Sequence, residues 1–198
     1  LVDDVPAGNR WMHEIKFDGY RAMIAAKGNM VRIYTRNGKD WTEKFGPLVE
    51  AIAALNLPAC LIDGEIVATD AEGNPDFSTL QGVLKRGHGA EGKDDALQLH
   101  AFDLIELAGE DLKALPNIER KERLEAKLST AEPPIFLADH VIGAGEKLFE
   151  ALLFADEHAA DAACFQETYC AGTQPFTMLV RKTIWHVYPC GVGLSETG

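Results

Sequence analysis

The 198-residue chain is poor in the features that would mark a secreted, metal-stapled or membrane protein. It has four cysteines, Cys60, Cys164, Cys170 and Cys190, with no Cys-x-x-Cys pair, and the step from Cys164 to Cys170 does not suit a zinc knuckle. They are read as reduced thiols. No apolar run reaches the roughly eighteen residues a membrane helix needs, and the start, Leu1-Val2-Asp3-Asp4, lacks the basic-then-apolar pattern of a signal peptide. A cytoplasmic protein without a membrane partner is expected. The first residue is not Met, which points to a piece cut from a longer polypeptide. Basic residues are scarce, 19 Lys and Arg against 31 Asp and Glu, for a net charge of −12. That balance excludes a protein whose affinity comes from phosphate contacts along a whole face. A local basic cleft on an acidic body remains open, with other parts of a longer chain supplying most of the grip.

What is present is enough for a core, since 46% of the residues are hydrophobic. Three short strands open the chain, over 11–16, 20–26 and 30–35, with turns at Asp18-Gly19 and Lys27-Gly28-Asn29. A helix over 42–55, with Thr42 as its N-cap, follows from the spacing of Phe45, Leu48, Val49, Ile52 and Leu55. The apolar runs on either side of Asp63-Gly64-Glu65 read as a buried strand or a hairpin, and 71–74 as the next turn. Residues 78–85 are expected to form a short helix, 87–95 a polar loop, 97–107 a core strand and 135–138 another strand. Asn117 to Leu128 reads as an amphipathic helix whose many charges form its wet face, and 146–160 as a further helix. Regular β-α-β alternation is missing. The expected class is α+β, with antiparallel sheets flanked by helices.

The chemistry concentrates in Glu14-Ile15-Lys16-Phe17-Asp18-Gly19-Tyr20-Arg21. A lysine amine attacks phosphorus only when neutral, and a pKa near 10.4 leaves about one in a thousand neutral near pH 7.5, an activation cost of about 4 kcal/mol. A cation such as Arg21 or a metal, with partial burial, lowers that pKa by destabilising the ammonium form. The plain alternative is a surface lysine beside a β-turn. Three weaker patterns follow. Thr35-Arg36-Asn37-Gly38 ends a strand, so Arg36 is either a phosphate or ribose contact or part of an ordinary turn. Glu65 is a carboxylate inside an apolar strand and needs a metal, a ribose hydroxyl or a basic partner; a structural salt bridge is the competing account. Phe102, beside Asp103, is either core or a ring for stacking on a base.

In this order the segments resemble the ATP-dependent DNA ligases, nearest to the adenylation domain of the bacterial end-joining type known as ligase D. The run from His13 to Arg21 resembles the family's first nucleotidyltransferase motif, and Thr35-Arg36-Asn37-Gly38 the next. Asp63-Gly64-Glu65-Ile66-Val67 is similar to the third, and Ala101-Phe102-Asp103-Leu104 to the aromatic motif after it. The likeness covers about residues 1–155. It implies an ATP-grasp-like nucleotidyltransferase domain in which Lys16 takes AMP from ATP and passes it to a DNA 5′-phosphate. It further implies that Arg21 and Arg36 hold the nucleotide's phosphate and sugar, and that Glu65 contacts the ribose or the divalent metal. Phe102 would stack on adenine, and Glu14, with the backbone at Ile15, would help to place that base. Mg²⁺ or Mn²⁺ is the implied metal, and nicked or broken double-stranded DNA the substrate. Polymerase, nuclease or end-bridging partners and a bacterial, nucleoid-associated location are implied for the parent protein.

The tail departs from the family. A glutamate-glycine strand motif with a following lysine is expected near 159–167 but is not there, and Arg181-Lys182-Thr183-Ile184-Trp185 has the last motif's residues in the wrong order. From Cys164 onward only Glu167, Arg181, Lys182 and Glu196 are charged. The chain is therefore divided into an adenylation domain over 1–163, incomplete at its C-terminal end, and an atypical tail over 164–198 that is frame-shifted or unrelated. The oligonucleotide-binding domain of complete ligases is not expected within these residues. Two other functions stay open: a nucleotide- or DNA-end-binding remnant that has lost catalysis, and an RNA ligase or capping-type nucleotidyltransferase. Translating the gene in its other two frames is expected to recover the glutamate-glycine motif, and its absence from both would refute the frame-shift account.

Overall fold

The computed structural model describes residues 8–9, 11–15, 17–71, 73–86, 97–143, 145–147, 176–180 and 183–189. Two sheets are built from strands β1 (Trp11–Glu14), β2 (Tyr20–Gly28), β3 (Met30–Thr35), β4 (Leu57–Ala68), β5 (Leu97–Leu107), β6 (Glu110–Asp111), β7 (Ile135–Leu137), β8 (His140–Ile142), β9 (Phe176–Val180) and β10 (Thr183–Pro189). The larger sheet has the order β3-β2-β4-β5-β6, with β7 joined to β5, and the smaller has the order β8-β1-β10-β9. All pairings are antiparallel except that of β5 with β7. Among the described residues, helices α1 (Gly46–Ala54), α2 (Phe77–Arg86) and α3 (Asn117–Leu128) accompany them, and residues 145–147 are also helical. The α+β class with antiparallel sheets and flanking helices is what the sequence leads one to expect.

Residues 57–68 form one continuous strand and not a hairpin. The strand is central, between β2 and β5, and every residue from Ile62 to Ala68 is buried, which explains the unbroken apolar character that hid its period. Alternate residues of the large sheet, including Ile24, Ile33, Ile62, Ile66, Leu99 and Ala101, face a core shared with Phe45, Leu48, Ile52, Leu80 and Leu124. The helix expected over 42–55 is split. A 3₁₀ turn at Thr42–Phe45 leads into α1 at Gly46, where Pro47 falls in the first turn and requires no N–H partner. Thr42 is not a helix cap: its hydroxyl accepts from the Ile33 backbone N–H at 3.0 Å and donates to Asp40, tying the turn to β3.

β1 and β2 belong to different sheets, so the segment between them, which carries Lys16, is the link from one sheet to the other. Gly19 in that link lies against β4. A Cβ there would collide with the Ile66 carbonyl oxygen and meet Val67 Cγ1 at 2.9 Å and Glu65 Cγ at 3.0 Å. Backbone packs directly on backbone at this point, a close approach that only glycine permits. β9 and β10, from the tail, complete the small sheet, with β10 paired to β1 from Trp11↔Pro189 to Glu14↔His186. The loop over 87–95, most of the helix over 146–160, and residues 164–175 lie outside the described residues.

Replacing Gly19 with alanine is expected to lower stability by about 1–3 kcal/mol, as overpacking against fixed backbone does. Urea unfolding measures this, and an unchanged midpoint would show that the β2–β4 approach yields without strain.

Candidate functional site

The face of the large sheet turned away from the core collects three of the residues singled out by sequence, Arg21, Glu65 and Phe102. β2 places Arg21 opposite Glu65 on β4, and β4 places Glu65 opposite His100 on β5, so the three share one face. Between Asp63 and Gly64 the β4–β5 register shifts: Asp63 faces Asp103 and Gly64 faces Ala101. This bulge leaves Phe102 as the extra residue, and Ala101 and Leu104 reach the core while Phe102 and Asp103 do not join it. The aromatic and acidic residues of Phe102-Asp103 can therefore both serve the opposite face, which strict alternation would forbid.

Arg21 is clamped by Asp63. Its Nε donates to Oδ1 at 3.1 Å and its Nη2 to Oδ2 at 2.7 Å, and Asp63 is wholly buried. Burial raises the Asp63 pKa, and the Arg21 hydrogen bonds and charge oppose that rise. The guanidinium also lies 5.8 Å from the centre of the Phe102 ring. Arg21, Asp63, Glu65 and Phe102 thus form one connected group. Glu65 is buried at 4% exposure. Arg36 stands apart on an exposed turn after β3, where Gly38 has φ +71° and its N–H closes the turn onto Thr35. Lys16 lies outside the described residues; its neighbours Ile15 and Phe17 are partly buried on either side.

Glu14 is drawn to a different partner from any expected. Its carboxylate pairs with Lys121 Nζ, which also donates to the carbonyls of Phe102 at 3.1 Å and Ala138 at 3.2 Å. Burial raises the Glu14 pKa, and the Lys121 charge and hydrogen bond pull it back. Next to it, Arg120 makes a two-pronged bond to Asp103, Nε to Oδ1 at 2.8 Å and Nη2 to Oδ2 at 2.7 Å, while Nη1 donates to Leu115 O at 2.7 Å. Arg120 and Lys121 have 0% and 1% exposure. This corrects the reading of α3: its charges are not all on a wet face. The buried residues Asn117, Arg120, Lys121, Leu124 and Leu128 fall at helical spacing. Two basic residues on the same stripe as Leu124 and Leu128, together with acids buried in apolar strands, were the available signal.

His100, like Arg120 and Lys121, is not among the residues that the sequence marks out. Its ring is stacked on Phe17 at 3.8 Å and on Phe136 at 5.1 Å between centroids. Burial pushes its pKa down to about 4, against a smaller opposing effect of Asp139. The ring is therefore neutral near pH 7, consistent with a stacking partner for the residue that follows Lys16. A metal would find few ligands here. Among the described residues no three His, Cys, Asp or Glu side chains converge. Glu65 alone fits the usual Mg²⁺ arrangement, in which one or two carboxylates act with the phosphates of the substrate. Also among the described residues, Cys60 is a free, buried thiol, and no helix is long and apolar enough to cross a membrane.

A two-sheet α+β domain with an Arg-Asp-Glu-Phe cluster beside a lysine-bearing link is the class that fold and site define. The profile of the ATP dependent DNA ligase domain matches residues 5–156. The chain belongs to that family. It is 43% identical over 128 residues to the multifunctional non-homologous end joining protein LigD of Pseudomonas aeruginosa, covering 65% of this chain and 14% of the relative. It is 37% identical over 178 residues to a probable DNA ligase of Dictyoglomus turgidum, covering 85% of this chain and 30% of that one. The ligase domain of Mycobacterium tuberculosis LigD superposes with a TM-score of 0.59 at 28% identity, over 73% of this chain and 44% of that one. A mycobacterial DNA ligase D complexed with ATP and MES gives 0.58, also at 28% identity, over 73% and 45%. The chain thus spans between 14% and 45% of the length of these proteins, less than half of each.

In the unfolded chain His100 takes up its proton near pH 6.5, in the folded chain only near 4, so between these values the unfolded state binds more protons. The stability contributed by the neutral ring is complete above about pH 6.5 and is lost as the pH falls toward 4. His100→Phe, which keeps the stack, is expected to remove about one proton from the acid-side slope of stability. Denaturation at stepped pH reads this, and an unaltered slope would place the titration elsewhere.

Proposed function

We propose that the chain is the adenylation domain of an ATP-dependent DNA ligase of the end-joining type, with Lys16 as nucleophile. Neutral Lys16 Nζ attacks the α-phosphorus of ATP. The new N–P bond replaces the bond to pyrophosphate, and the lysine keeps AMP as a phosphoramidate after releasing its second proton. AMP then passes to a DNA 5′-phosphate, and a 3′-hydroxyl displaces it to join the strands. The observation that carries this reading is that Arg21, Glu65 and Phe102, from three separate motifs, meet on one sheet face beside the link that bears Lys16.

Phosphoryl transfer asks mainly for positioning and charge neutralisation. Arg21 supplies a guanidinium already oriented by Asp63, and Arg36, on its exposed turn, approaches the nucleotide from outside. Phe102 offers a ring to adenine, and Glu14 with the Ile15 backbone helps to place the base. Glu65 contacts the ribose or holds Mg²⁺ or Mn²⁺, which when bound neutralises the triphosphate and lowers the lysine pKa. Nicked or broken duplex DNA is the proposed substrate. An oligonucleotide-binding domain and polymerase, nuclease or end-bridging activities belong to the proposed parent protein, as does a nucleoid-associated site in a bacterial cytoplasm.

A second reading has its own support. The late glutamate-glycine and lysine motifs are missing from 158–198, which favours a remnant that binds nucleotide without reacting. The proposed division at residue 163 rests on the same change of composition, and the pairing of β10 with β1 gives the tail a place in the small sheet whatever its origin.

Incubation with ATP and Mg²⁺ or Mn²⁺ is expected to add one AMP to the intact mass, and Lys16→Ala to abolish it. A persistent adduct in that variant would refute Lys16 as the nucleophile. ATP binding without an adduct in the native chain would favour the remnant, and preference for GTP in competition would favour a capping-type enzyme.

A further inference from the structure

We propose that Lys121 is a positioning residue for recognition of the nucleotide base: one ammonium behind the site locks the Glu14 carboxylate and the Phe102 backbone into fixed relation across the two sheets. The Lys121 ammonium is ion-paired with the Glu14 carboxylate and donates hydrogen bonds to Phe102 O at 3.1 Å and Ala138 O at 3.2 Å. These acceptors lie on β1 of the small sheet, on the bulge of β5 in the large sheet, and on the first of the two residues between β7 and β8. Glu14 and Phe102 are not sheet neighbours, so no backbone ladder sets the distance between them. Lys121 does, from a helix that neither sheet contains.

The ion pair also sets what Glu14 can offer. A carboxylate is acceptor-only, whereas a protonated carboxyl presents an O–H donor. Burial and the nearby Asp103 both favour protonation of Glu14, Asp103 is itself engaged by Arg120, and Lys121 is the cation that opposes them. The Glu14 side chain keeps 8% of its surface exposed, against 1% for Lys121, so of the two partners Glu14 lies nearer the surface. Adenine carries an amino donor at position 6, and a 6-oxo purine carries an acceptor there. A Glu14 kept ionised and aimed by Lys121 therefore selects for the 6-amino base. This rests on the reading that Glu14 and Phe102 face adenine.

The test is calorimetric binding of ATP and of inosine triphosphate to the full chain and to Lys121→Met, Glu14→Gln and the double variant, with thermal unfolding of each. The native chain is expected to prefer ATP, and Lys121→Met to reduce that preference at least about tenfold, the scale of one hydrogen bond to a charged group. Glutamine cannot lose or gain the proton at issue, so in the Glu14→Gln background the lysine change is expected to have no further effect on the preference. Should Lys121→Met fail to fold because a buried carboxylate is left alone, the double variant, free of that charge, supplies the comparison with Glu14→Gln. Wild-type preference in folded Lys121→Met, or effects of the two changes that multiply, would overturn the proposal. A native chain that binds neither nucleotide would overturn the adenine-site reading and this inference with it, whereas ATP binding with lost coupling would defeat this inference alone.

Discussion

Three acids, Glu14, Asp63 and Asp103, are buried away from water, and each is met there by a basic side chain, Lys121, Arg21 and Arg120 respectively. An isolated buried carboxylate is costly enough to change protonation state or disrupt the fold, and removing one partner from a buried pair typically costs about 3–5 kcal/mol. Each pair also spans elements distant in the chain. Arg21–Asp63 locks β2 to β4, Arg120–Asp103 seats α3 on β5, and Lys121–Glu14 ties α3 to the small sheet. Such pairs add less net stability than an apolar contact of equal volume would. What they contribute is geometry, because a two-pronged Arg–carboxylate bond fixes both distance and orientation.

That geometry bears on the site because the same residues are close to the proposed nucleotide contacts. The clamp on Asp63 holds the Arg21 guanidinium near Phe102, and Arg120 holds the acid that adjoins Phe102 in sequence. Backbone does similar work at Gly19, where the chain turns against β4 at the residues flanking Ile66, and at Gly64, where a Cβ would meet Leu99 Cδ1 at 2.8 Å and His100 O at 3.0 Å. Both glycines sit within the motifs that carry the family likeness. Their role is close approach, and it keeps the Lys16-bearing link near Glu65.

Alternation was readable in β3, which keeps one face wet, and unclear in β4, which is covered on both. β3 over 30–35, β5 over 97–107 and α3 over 117–128 have the boundaries expected from their periodicity and turns. β4 read equally as a strand or a hairpin, because a central strand buried on both sides has no alternation to show its length. The split of the 42–55 helix followed from Thr42 being engaged by β3 and Asp40, a contact across nine residues that local pattern does not encode.

The sequence by itself determined the segments that carry the family likeness and their order: a lysine at 16 in its Glu-x-Lys-x-Asp-Gly setting, Arg21, the Asp-Gly-Glu and Phe-Asp steps, and with them the family. These are properties of short segments, legible because residue type and spacing alone define them. The tertiary structure decided which charge answers which. Glu14 and Lys121 are more than a hundred positions apart, and Asp103 finds Arg120 only when α3 packs on β5. It also decided sidedness, since a one-residue bulge turns both Phe102 and Asp103 away from the core. Partner choice depends on which surfaces meet after the chain has folded, and a linear pattern records the need for a partner without recording who fills it.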